Sequence, residues 1–250
     1  MNNHIVVINA PKSGTDKYFE RFCRQVRENH AHDKTPIVLI NPDYPLGLPE
    51  YLDDMGVRLV EGRGVSPQDW QQANIEEAEH IVVLAKDDIP EDSDSVCFDI
   101  CHRLSERGLS YRVIVECFDD GNRERFKSVG VKSVLRPIRS YPEVIVRALE
   151  SPGAELIVED MFTRAEDHFK RFPLWLEGDL WRDVVQAMML DNLGTPMAAV
   201  SKEGEVMVHP RADQAIYAQS IIMLVKTAHT PAEAQVHDAF RRYISHDLSA

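Results

Sequence analysis

The chain has 250 residues, with 28 Lys and Arg against 41 Asp and Glu, a formal charge of −13. That acidic balance excludes the basic footprint of a nucleic-acid binder and general adsorption to an anionic membrane surface. No apolar run approaches the roughly 20 residues that cross a bilayer.

Met1-Asn2-Asn3-His4 leads straight into the apolar run Ile5–Ile8, which reads as a buried parallel strand with no secretory leader before it. A helix follows, with Tyr18, Phe19, Phe22, Cys23 and Val26 on one face. Further strands are expected at 36–40, 57–61, 80–85, 112–116 and 132–135, and helices at 49–54, 67–73, 95–107 and 122–129. Six apolar strands, each followed by a helix or turn, define the α/β class. The expectation for residues 1–140 is a doubly wound, six-stranded parallel Rossmann-like sheet. The four cysteines, Cys23, Cys97, Cys101 and Cys117, contain no C-x-x-C pair and read as buried, reduced thiols of a cytosolic protein.

Crossover helices are expected over residues 141–175. Glu143–Leu149 places Val144, Ile145, Ala148 and Leu149 on one face. Ala154–Phe172 spaces Ile157, Met161, Ala165 and Phe169 by four, an apolar stripe that calls for a second subunit. Residues 176–250 read as a small α+β lobe: a hairpin at 196–201 and 205–209, a further strand within 216–225, and a last helix opened by Thr230-Pro231-Ala232-Glu233 as a capping box. Trp175–Leu190 has no clear period.

Ligands of such a sheet bind outside the carboxyl ends of its strands, beside the first turn. That turn is Asn9-Ala10-Pro11-Lys12-Ser13-Gly14. Of the three glycines a dinucleotide requires, only Gly14 is present, and Pro11 has no N–H and blocks close approach of a phosphate. Asn41, with Asp43 two residues on, stands where an acid would hold a ribose. NAD is therefore disfavoured. Asn9, Lys12, Ser13, Gly14, Asn41 and Asp43 outline a crevice for a smaller anion, or a fold that takes no nucleotide.

Asp87, Asp88, Glu91, Asp92 and Asp94 crowd the turn after the fourth strand, and Glu116 ends the fifth. These carboxylates suit a hard divalent cation such as Ca²⁺. The spacing does not match an EF-hand, and the favoured reading of the cluster is a solvated complement to the next helix's dipole, while Glu116 is equally a partner for a neighbouring Arg or Lys. No H-E-x-x-H, G-x-S-x-G or G-K-[ST] motif occurs, and no catalytic set replaces them.

The segment Gly62-Arg63-Gly64-Val65-Ser66-Pro67-Gln68-Asp69-Trp70, with Ala73-Asn74-Ile75 and the strand Ile81–Leu84, resembles the RCK domain (regulator of K⁺ conductance, also KTN or TrkA-N). The resemblance continues through Asp92–Ser95, Arg112–Glu116 and Val131–Pro137, and more weakly through Pro196–Val200, Gly204 and Pro210. It implies a non-enzymatic cytosolic regulatory domain on the inner face of a prokaryotic K⁺ channel or transporter in the cell membrane. It also implies pairing into a homodimer or higher ring, a transmembrane pore as partner, and gating by a nucleotide or Ca²⁺. Two departures stand out. Asn9 and Pro11 replace the glycines of nucleotide-binding members. Of two carboxylates found two apart on the fifth strand of a Ca²⁺-gated pattern, Glu116 fits the first and Phe118 takes the place of the second. The immediate start on the first strand suggests a product without its pore. The competing classes are an NAD(P)-dependent oxidoreductase and a ligand-free interaction module.

Overall fold

Val, Ile and Leu fill residues 5–8 and 37–40 without interruption, a pattern that suits a strand covered on both faces. In a computed structural model of the chain both are interior strands of one sheet. The structure describes residues 2–11, 14–29, 31–86, 90–137, 157–158, 161 and 167–244, and the chain divides into two compact units, Met1–Val146 and Arg147–Ala250.

The first unit runs β1 (His4–Ile8), α1 (Thr15–Glu28), β2 (Ile37–Ile40), α2 (Glu50–Asp54), β3 (Val57–Val60), α3 (Pro67–Ala73), β4 (Ala78–Val83), α4 (Pro90–Glu106), β5 (Val113–Glu116), α5 (Arg123–Ser128) and β6 (Ser133–Leu135). All six strands are parallel, in the order β3-β2-β1-β4-β5-β6. The order reverses between β1 and β4, the switch point at which such sheets open a crevice. Alternate side chains feed two cores. Ile5, Val7, Ile37 and Leu39 pack with Phe19, Cys23 and Leu52, while Val6, Ile8, Val38 and Ile40 pack with Trp70, Ile100, Leu104 and Phe126. Each such buried aliphatic side chain is worth about 1.5–3 kcal/mol over its exposed state.

The four cysteines are all buried. Burial pushes the Cys23 thiol up to about 11 and Cys101 to about 12, and raises Cys97 as well. For Cys117, burial is again the first cause, joined by the Asp94 carboxylate, and the thiol reaches about 12. A thiol held protonated is a poor nucleophile. At pH 8 the folded protein is expected to leave a water-soluble disulfide reagent unreacted, while the unfolded chain releases four equivalents. Rapid labelling of any one thiol in the folded protein would refute this packing.

The second unit contains β7 (Asp167–Leu180), α6 (Trp181–Leu190), β8 (Thr195–Val200), β9 (Val206–Val208), β10 (Ala215–Lys226) and α7 (Glu233–Tyr243). Its sheet is antiparallel, in the order β7-β10-β8-β9. Phe172, Leu174, Leu176, Ile221 and Met223 of the sheet pack with Val184, Ala187 and Met188 of α6 and Val236 and Ala239 of α7.

Two expectations are corrected here. The helix expected over 154–172, and the crossover segment to 175, do not hold past residue 166: Asp167–Leu180 is a 14-residue strand. Phe172, Leu174 and Leu176 are buried while Arg171, Pro173, Trp175 and Glu177 are exposed, which is the period of two that a sheet demands. Phe169 merely falls four residues after Ala165. It lies on this strand, 47% exposed, so it shares no helical stripe with Ile157, which is helical and 62% exposed, or with the half-buried Met161. Val144, Ile145, Ala148, Leu149 and Ala165 lie outside the described residues. The second correction concerns the last helix. Its first residue is Glu233, and the Gln235 side chain accepts from the Ala232 amide at 2.8 Å, while Thr230 Oγ1 instead donates to the carbonyls of Lys226 and Thr227.

Candidate functional site

Three strand ends meet at the switch point. After β1, Asn9 turns into the left-handed region at φ 67° and donates its backbone N–H to the Ile40 carbonyl at 3.1 Å. After β2, Asn41 donates to the Val60 carbonyl at 3.1 Å, and its Oδ1 accepts from the Asp43 amide at 2.9 Å. After β4, the Leu84 amide closes onto the Ile8 carbonyl at 2.9 Å. Both asparagines are buried, and each leaves Nδ2 without a hydrogen-bond partner among the described residues. Two buried amide donors thus lie at the strand ends beside the switch point, and such groups are costly to bury unless something accepts from them.

The rim is less hospitable to a phosphate. Gly14, at φ 71°, precedes α1 and supplies no side-chain cap, while Thr15 Oγ1 donates back to the Pro11 carbonyl at 2.7 Å. Asp16 stands in the first turn of α1, where its Oδ1 accepts from the buried Tyr44 hydroxyl at 2.8 Å. Burial and that carboxylate push the Tyr44 phenol well above its ordinary range. A helix N-terminus attracts anions, and here a carboxylate of the chain itself already occupies that field. Asp43 pairs with Lys86 at 3.6 Å. Lys12 and Ser13 lie outside the described residues.

The acids expected around a cation divide into separate tasks. Asp94 is 2% exposed, and its two oxygens accept from the Phe118 amide at 2.8 Å, the Asp119 amide at 3.0 Å, Asn122 Nδ2 at 2.9 Å and the Cys117 thiol at 3.5 Å. It ties α4 to the loop after β5. Glu116 Oε2 accepts from the Ala85 amide at 3.0 Å, joining the ends of β4 and β5. Asp92 is exposed on the first turns of α4. Asp87, Asp88 and the side chain of Glu91 lie outside the described residues. Asp94 as a loop anchor was not foreseen, because its partners are backbone amides that no sequence motif announces.

The Gly62–Trp70 segment is a built turn. Ser66 caps α3 by accepting from the Asp69 amide at 3.1 Å, with Pro67 in the first turn. Asp69 Oδ2 accepts from the Gly64 amide at 2.9 Å, and Trp70 Nε1 donates to the Gly64 carbonyl at 2.7 Å. These bonds press Gly64 against Ile8, at the end of β1 and beside the crevice.

Residues 1–101 match the family model described as the calcium-activated potassium channel slowpoke-like RCK domain. Among solved structures, the human SLO3 gating ring aligns over 98% of this chain and 46% of its own, at 14% identity and a TM-score of 0.62. The GsuK channel bound to NAD aligns over 98% of this chain and 39% of its own, at 15% identity and a TM-score of 0.42. The TrkA-N domain of inner membrane protein ybaL from Escherichia coli aligns over 60% of this chain and 98% of its own, at 18% identity and a TM-score of 0.42. No curated protein matches the chain. The chain spans less than half the length of the gating-ring and GsuK chains. The residues that match the family model all lie within the first unit. No helix among the described residues is long and apolar enough to cross a membrane.

Proposed function

We propose that the chain is a non-enzymatic regulatory module that controls K⁺ flux through an associated transmembrane pore, working from the cytosolic face as a homodimer or a higher ring. The observation that carries this reading is the slowpoke-like RCK match over residues 1–101. The likeness in fold to a gating ring along 98% of the chain supports it. The effector is a divalent cation or a nucleotide other than NAD. Pro11 removes one cradle donor, and Asp16 sets a negative charge where a pyrophosphate would lie. A ligand moves a gate only by binding one state of the assembly more tightly than the other.

Light scattering at tens of micromolar should give a dimer or larger. Calorimetry should find NAD⁺ weaker than about 1 mM, a binding free energy smaller than about 4 kcal/mol. Millimolar Ca²⁺ should raise the melting temperature of the wild type and not of an Asp87→Asn/Asp88→Asn variant, since only a ligand of the folded state stabilises it. Removing the chain from its host should change ⁸⁶Rb⁺ flux. A monomeric mass together with unaltered flux would sink the reading.

A further inference from the structure

A different polar cluster lies at the opposite, amino-terminal edge of the parallel sheet. His32 sits in the turn between α1 and β2, and Glu79 and His80 begin β4. One candidate ligand atom from each of the three lies within 4.8 Å of the others. The two imidazole rings meet edge to face, with centroids 5.4 Å apart and planes at 79°. Glu79 Oε1 is 3.7 Å from His80 Nε2.

The parts are held in place. Arg27 clamps the turn from α1, its Nη1 donating to the carbonyls of His32 at 3.4 Å and Thr35 at 2.8 Å, while its Nε and Nη2 donate to the Met55 carbonyl at 3.1 and 2.7 Å. Thr35 Oγ1 lies 3.4 Å from His32 Nδ1, which orients that ring and leaves its Nε2 for another partner. His80 Nδ1 is buried without a hydrogen-bond partner among the described residues. Glu79 also lines a cleft of about 330 Å³, together with Glu77, Arg112 and Lys132.

We propose that His32, Glu79 and His80 form a site for one divalent transition-metal ion, Zn²⁺ by the chemistry of its donors, which ties the α1–β2 turn to the start of β4. Two imidazoles and one carboxylate are a familiar zinc set, with water or another ligand at the fourth position. Hard Ca²⁺ and Mg²⁺ prefer all-oxygen shells and are poor candidates here. Ligand atoms about 2.0–2.1 Å from a tetrahedral ion stand about 3.3 Å apart, so modest side-chain rotations close the cluster. The contact of Thr35 Oγ1 with His32 Nδ1 would serve as the outer shell such histidines usually have, with Nε2 as the ligand.

The test is Zn²⁺ titration of the full chain, stripped with a chelator, in competition with a chromophoric chelator. The wild type should bind one ion tightly per chain. His32→Ala and His80→Ala should each weaken that ion about 100-fold, and Glu79→Gln about 10-fold, with metal-free melting temperatures close to wild type. X-ray absorption at the zinc edge of the wild type should show nitrogen and oxygen neighbours. This second measurement decides the matter even if a variant fails to fold. Retention of wild-type affinity by a His32→Ala/His80→Ala double variant would overturn the proposal. So would a zinc shell containing sulfur from the cysteines, or no binding at 100 micromolar Zn²⁺.

Discussion

Asp94→Ala is expected to destabilise the first unit by about 3–5 kcal/mol, a fall of about 10 °C in melting temperature. The Asp94 carboxylate is buried and accepts from two backbone amides, one side-chain amide and a thiol. Alanine leaves those partly buried donors without their acceptor, and each buried unsatisfied group costs about 1–3 kcal/mol. Asp94→Asn should lose roughly half as much, because one carbonyl oxygen remains while an NH₂ now faces donors. The loss should be the same in chelator and in millimolar Ca²⁺, which separates anchoring of the loop from cation binding. Urea unfolding of the three proteins settles it. A loss below about 1 kcal/mol for Asp94→Ala would mean the 117–122 loop is held by something else.

The second large effect is expected at Gly64. Its φ of +69° already disfavours any side chain, and an added Cβ would lie 2.2 Å from Ile8 Cγ2. Ile8 is fully buried between neighbouring strands and has little room to move. Gly64→Ala should therefore cost about 1–2 kcal/mol for the left-handed backbone and about 1–3 kcal/mol for the overlap. Gly108→Ala is the control: its φ is +70°, but an added Cβ meets nothing within 4 Å. It should carry the backbone cost alone. Equal losses at the two glycines, measured by denaturant unfolding, would show that the contact with Ile8 is soft. If the difference appears, the Gly62–Trp70 segment, which carried the family resemblance, is read as packing chemistry beside the crevice rather than as ligand contact.

The first unit was legible because its central strands carry aliphatic runs between polar turns, uninterrupted in Ile5–Ile8 and Ile37–Ile40, and a covered sheet is the structure that such runs suit. In the second unit the hairpin, the strand after it and the last helix were legible, but the stretch before them was not, because Ile157, Met161, Ala165 and Phe169 fall four apart by coincidence, while the alternation from Arg171 to Glu177 carried the actual structure. The crevice could be placed from topology alone, since Asn9 and Asn41 follow the strands on either side of the first pairing. What Asp94 and Glu116 do there was not readable. The direction of a carboxylate depends on where distant backbone amides lie, and those of residues 85, 118 and 119 come from other loops. His32 and His80 are likewise far apart in sequence and meet only because β2 and β4 flank β1.

The antiparallel sheet ends on β9, which among the described residues pairs only with β8. Val206, Met207 and Val208 are all exposed there. An apolar edge of this kind is a template on which strands of other molecules can stack. Three residues are few for such growth. Glu203 and Glu205 lie before the strand, and Pro210, which has no N–H to donate, lies just after it. These three residues act as gatekeepers. Exchanging them for β-branched residues would lengthen the sticky edge and turn a well-folded lobe into a seed for fibrillar aggregation, with the core of the lobe unchanged.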